Sequence, residues 1–102
     1  MEVSYERTGG FAGMRMAASF NLDELPEQDA QSIRDCLHQA HFHTLPERIT
    51  SAGQMPDQFT YRITVASGES AHTVTTGDAS APPELRQLID LLNQLARARG
   101  RG

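Results

Sequence analysis

Apolar side chains recur at every second position in several stretches of the chain. From Glu2 to Thr8, Val3 and Tyr5 alternate with Ser4 and Glu6; from Met14 to Phe20, Met14, Met16, Ala18 and Phe20 alternate with Arg15, Ala17 and Ser19. A period of two sends successive side chains to opposite faces of a pleat, so both stretches read as half-buried strands. Between them, Gly9-Gly10-Phe11-Ala12-Gly13 has the length of a hairpin connection, and its glycines supply the positive φ angles of a tight reversal. The cleanest alternation is Phe59, Tyr61, Ile63 and Val65 against Thr60, Arg62 and Thr64. Ser67-Gly68-Glu69-Ser70 turns it into a return strand over Ala71 to Thr76, rich in β-forming residues.

The pattern changes to steps of three and four in two places. Ala30, Ile33, Leu37 and Ala40 share a helical face with Cys36 beside them, after Pro26 in the first turn and Glu27 and Asp29 at the positive end of the helix dipole. Phe42 and Leu45 continue this apolar surface through a turn closed by Pro46, and Glu47 to Asp57 lacks periodicity and reads as a loop. A second helix, capped by Asp78 or Ser80 and carrying Pro82 and Pro83 in its first turn, presents the stripe Leu85, Leu88, Ile89, Leu92 and Leu95. The order strand, strand, helix, strand, strand, helix predicts an α+β fold. In it, a four-stranded antiparallel sheet in ββαββα order carries both helices on one face and leaves the other open. Residues 1–98 are expected to form one domain, with 99–102 a frayed basic tail.

Composition narrows the chemistry. The chain has 102 residues, a formal charge of -4, and nine cationic side chains, all arginine. With no lysine, a P-loop lysine, a Schiff base and a lysine general base are excluded. The acidic balance disfavours nucleic acid, and the arginines at 97, 99 and 101 read as a solvated helix end. One cysteine cannot form an internal disulfide, which fits a reducing compartment. No run approaches the roughly 20 apolar residues of a membrane span. Met1-Glu2-Val3-Ser4 lacks the basic and apolar regions of a secretory signal, so a cytoplasmic location is expected.

Candidate chemistry is sparse. Cys36, His38, His41 and His43 fall within eight residues and carry zinc-ligand atoms. At about 100° per residue, however, His38 and His41 share one side of a helix while Cys36 points away. The expectation is exposed histidines and an inert core thiol, with no metal and no cofactor held; His72 reads as a sheet-face residue. No Gly-x-Ser-x-Gly elbow occurs, and Asp23 with Glu24 is explained by capping and solvation, so no catalytic residue is expected. Phe11 stands out. A bulky aromatic at a glycine-flanked tip either folds back over its own sheet or is offered to a partner.

Beyond these local patterns, an ordered series of segments resembles one family. It runs Tyr5-Glu6-Arg7-Thr8-Gly9-Gly10-Phe11-Ala12-Gly13-Met14-Arg15, Leu25-Pro26, Phe42-His43-Thr44-Leu45-Pro46, Pro56-Asp57-Gln58-Phe59-Thr60-Tyr61, His72-Thr73-Val74-Thr75 and Ala81-Pro82-Pro83-Glu84-Leu85. The series is similar to emfourin, the small proteinaceous inhibitor of protealysin and related thermolysin-like zinc proteases. The resemblance implies reversible inhibition of a bacterial metalloprotease by occupation of its active-site cleft, with the zinc belonging to the protease. Such proteases prefer a bulky apolar side chain just after the cut bond, which an exposed Phe11 or Leu25 would offer. The expected protease-binding residues are Gly9, Gly10, Phe11, Ala12 and Gly13, with Asp23, Glu24, Leu25 and Pro26 beside them. The free chain is expected to be a monomer that engages neither nucleic acid nor membrane. A different class also fits the residues: a small adaptor or oligomerising module using its open sheet face or an edge strand.

Overall fold

A computed structural model of the chain describes residues 1–9, 14–49, 59–77 and 80–100. Strands β1 (Glu2–Gly9) and β2 (Met14–Asn21) pair antiparallel in a register that runs from Gly9↔Met14 to Glu2↔Asn21. Helix α1 (Glu27–Gln39), a 3-10 turn (Phe42–Thr44) and the short strand β3 (Arg48–Ile49) follow. Strands β4 (Phe59–Ser67) and β5 (Ser70–Gly77) form the second hairpin, whose reversal uses Gly68 at φ 60°. Helix α2 (Pro83–Gly100) closes the fold.

The α+β class and both hairpins match the alternation. The sheet itself differs: it has five strands in the order β2-β1-β4-β5-β3, and it is mixed where a four-stranded antiparallel sheet was expected. The added strand comes from the start of the segment read as a loop. β3 runs parallel to β5, with Arg48 opposite Thr75 and Ile49 opposite Thr76, and the Thr75 N–H donates to the Glu47 carbonyl at 2.8 Å. Two residues cannot display a period of two, so only the docking partner defines this strand.

The helix starts also shift. Pro26 is the N-cap of α1, with φ -52° and ψ 142°, and its carbonyl receives the Ala30 N–H at 3.0 Å. Ser80 does not cap α2. Its hydroxyl accepts from the Gly77 N–H at 3.1 Å and donates to the Ile49 carbonyl at 3.0 Å, which ties the end of β5 to β3. The alternative cap, Asp78, lies outside the described residues, as do 101–102 of the basic tail.

One core gathers Val3, Tyr5, Phe20, Ile63, Val65 and Val74 from the strands with Ala30, Ile33 and Leu37 from α1 and Leu85, Leu88, Ile89 and Leu92 from α2. Because both helices share this cluster, they cover the same sheet face. The Tyr5 hydroxyl donates to Asn93 Oδ1 at 2.7 Å and so fastens α2 across β1. The opposite face carries Ser4, Glu6, Arg15, Ala17, Arg62, Thr64 and Thr73, none of them buried.

Leu92 is fully buried at the centre of the α2 stripe. Leu92→Ala is expected to lower the unfolding free energy by about 2–5 kcal/mol, the cost of lost burial plus a cavity, measured by urea denaturation.

Candidate functional site

The registers bring several chain segments to one end of the sheet. Gly9 faces Met14 on one side and Phe59 on the other, Thr60 faces Gly77, and Thr76 faces Ile49. The β1–β2 connection, the approach to β4 and the exit from β5 therefore leave from the same end. Gly9, at φ 111°, adopts a conformation that a side chain would strain. Gly10, Phe11, Ala12 and Gly13 lie outside the described residues.

The base of this end is fixed by a contact that the alternation obscures. The Arg7 guanidinium carbon sits 4.6 Å from the centroid of the Phe59 ring, a cation–π pair. Arg7 follows Val3 and Tyr5 in the inward-facing series, so a charge at an apolar position was its only trace in the sequence.

Asp23, Glu24, Leu25 and Pro26 stand at the other end. Asn21 is opposite Glu2, and the Leu22 N–H donates to the Met1 carbonyl at 3.0 Å. Asn21 then shapes the turn: its side-chain Oδ1 accepts from the Asp23 N–H and its carbonyl from the Glu24 N–H, both at 3.0 Å. Asp23, Glu24 and Pro26 are exposed, whereas Leu25 is partly buried against the core and anchors the turn. Seven residue steps separate Met14 from Asn21, about 23 Å at 3.3 Å per step. Gly9, the described residue of the first segment singled out in the sequence, and Asp23–Pro26 thus sit at opposite ends of the first hairpin.

The histidines separate into two pairs. His38 and His41 at the end of α1 have ring centroids 6.4 Å apart, and His41 has φ 49°, in the left-handed region. His72 lies on the helix-covered side of β5, with its ring edge-on to Phe42 at 5.5 Å and 6.4 Å from His43. Its Nε2 is 2.8 Å from the Leu45 carbonyl, and since a carbonyl only accepts, Nε2–H is the donor. His72 is thus a locked packing residue that pins the 3-10 turn. Among the described residues, no three His, Cys, Asp or Glu side chains come together as a metal site. Burial, and then the neighbouring Asp35 carboxylate, push the Cys36 thiol above its ordinary pKa.

Two shallow depressions mark the open face on either side of Arg62. One, of about 390 Å³, is lined by Ser4, Glu6, Ala17 and Thr64 among others; the second, of about 470 Å³, involves Arg48, Thr73 and Thr75. Both are broad and form no enclosed cavity; the first is floored partly by Ala17 and Ala18, the second is mostly polar. No helix among the described residues is long and apolar enough to cross a membrane.

Fold and site together define a small α+β domain with one helix-covered sheet face, one open polar face, and chain reversals gathered at the two ends of a terminal hairpin. The chain belongs to the Emfourin family, whose model matches residues 5–93 and so takes in most of the first hairpin, all of the second, all of α1 and much of α2. No curated protein and no solved structure matches it.

A thiol with a raised pKa is mostly protonated at neutral pH, and the thiolate is the reactive form. At pH 8, Cys36 of the native chain is expected to react with iodoacetamide more slowly than Cys36 of the chain unfolded in urea, as measured by mass spectrometry over time.

Proposed function

We propose that this protein is a non-enzymatic inhibitor of a bacterial thermolysin-family zinc metalloprotease of the protealysin type, blocking its cleft reversibly. The observation that carries the reading is the family match over residues 5–93, because emfourin, the protein that gives the family its name, is such an inhibitor. The hairpin supports it physically. β1 and β2 pair along their whole length, so the chain that joins Gly9 to Met14 is anchored at both ends, which lowers the entropic cost of binding. We assign the cleft contact to Gly9, Gly10, Phe11, Ala12 and Gly13, with Phe11 filling the pocket for a bulky apolar side chain. Asp23, Glu24, Leu25 and Pro26 form a second contact, reached only by a target that extends along β2. The inhibitor supplies no metal; the zinc is the protease's.

Titrating the purified chain into a thermolysin-like protease is expected to abolish peptide hydrolysis near equimolar ratio. Full proteolysis at a large molar excess overturns the reading. Phe11→Ala is expected to weaken inhibition by about tenfold or more, as for truncation of an interface anchor, with the melting temperature nearly unchanged. A large fall in melting temperature would show that Phe11 belongs to the protein's own core.

A further inference from the structure

The two edges of the sheet are unequal. Among the described residues, β3 covers one edge with two residues, whereas β2 forms the other edge over eight. Long edge strands in native proteins are usually blunted by lysine, proline, a bulge or a covering element, because their outward amides and carbonyls template further strands. β2, Met14-Arg-Met-Ala-Ala-Ser-Phe-Asn21, has no lysine, proline or glycine, and its pairing with β1 runs without a bulge.

The direction of its backbone groups follows from the register. The Leu22 N–H donates to the Met1 carbonyl, so the Met1–Leu22 pair is of the hydrogen-bonded kind. Antiparallel pairs alternate, which makes Val3–Phe20, Tyr5–Ala18 and Arg7–Met16 hydrogen-bonded pairs as well. The intervening residues, Arg15 and Ala17 among them, therefore turn their N–H and C=O groups away from β1, toward the edge.

Two of its described side chains reach back over β1. The only charged residue of β2, Arg15, reaches back over β1 to Glu6 Oε2 at 2.8 Å, and the Ser19 hydroxyl meets that of Ser4 on β1 at 3.3 Å. At the middle of the strand stand Ala17 and Ala18, which present only methyl groups to anything laid alongside.

We propose that the β2 edge is a docking surface for an extended main-chain segment of the target protein, which adds to the sheet as a sixth strand beside Arg15 and Ala17. This rests on the inhibitory reading above and extends it from the tip to the whole strand. One strand edge supplies only part of the roughly 800 Å² that each partner commonly buries, so the occupant must also touch what lies beyond the strand's ends. Those ends are Gly9 and the Asp23–Pro26 turn, and a partner along β2 joins the two segments in one surface. Charge selects among occupants. Two copies of a chain with formal charge -4 repel each other, whereas the exposed Asp23 and Glu24 favour a partner that is cationic near that end.

The test is Ala17→Pro. Proline at 17 removes an edge-facing N–H and obstructs an incoming strand while sparing the ladder to β1, a position where edge strands tolerate it. With a thermolysin-like protease as probe, the variant is expected to melt close to the wild type and to inhibit about tenfold or more weakly. In the wild-type complex, amide exchange at Arg15 and Ala17 is expected to slow. This second measurement needs no variant and decides the matter if Ala17→Pro does not fold. Equal inhibition by the folded variant, or unchanged exchange in the complex, overturns the edge and leaves the inhibitory reading standing. A wild-type dimer in sedimentation that Ala17→Pro dissolves gives the edge to a second copy and overturns the proposed occupant. A wild type that does not inhibit removes the inhibitory reading and this inference together.

Discussion

Each residue of β1 from Glu2 to Gly9 has a partner in β2 on one side and in β4 on the other. This double ladder makes the first strand of the chain a central strand of the sheet. Val3 and Tyr5 lie in the core, and the Tyr5 hydroxyl carries the structure outward to Asn93 of α2. One of its two pairings is local, closed by a short connection; the other must bring residues 2–9 to residues 59–66. The long closure costs chain entropy that hydrogen bonds alone do not offset, and burial of Ile63, Val65 and the α2 leucines against β1 supplies the balance. The terminal hairpin is thereby joined to the rest of the sheet through β1 only; β2 adds Phe20 to the core but is left at the edge.

That placement separates a packed face from an open one. The helix-covered face holds the apolar stripes of both helices, and its one buried polar side chain among the described residues, Thr76, has the Ser80 hydroxyl 3.3 Å away. The open face carries small polar side chains and arginines that contribute little to the core. Exposed side chains on β2 such as Arg15 and Ala17 can change with little effect on the packed face, because they stand on the opposite side of the sheet. Arg7 over Phe59 marks the boundary: its cation sits on the covered side next to the turn and stiffens the base of the tip.

Local signals made most of the fold legible. The alternation at residues 2–8, 14–20 and 59–65, the helical stripes from Ala30 to Ala40 and from Leu85 to Leu95, and the glycines at 9 and 68 each reflect a constraint between near neighbours, and each matches its element. β3 was invisible because two residues carry no period; it exists only where Glu47, Ile49 and Ser80 meet β5. His72 read as an ordinary sheet residue because its partners, Phe42 and the Leu45 carbonyl, lie some thirty positions earlier.

By itself the sequence determined the class of fold, the faces of its helices, the lack of lysine chemistry and the order of segments that marks the family. Those properties depend on residue type and on spacings of two, three or four. The tertiary structure alone decided that β1 is a central strand, that Leu25 is partly buried, and that β2 is an edge with the Ala17 backbone groups turned outward. Each depends on which strand lies beside which, and strand order is set by how the sheet can bury its apolar face against two helices at once, which no short window of sequence encodes.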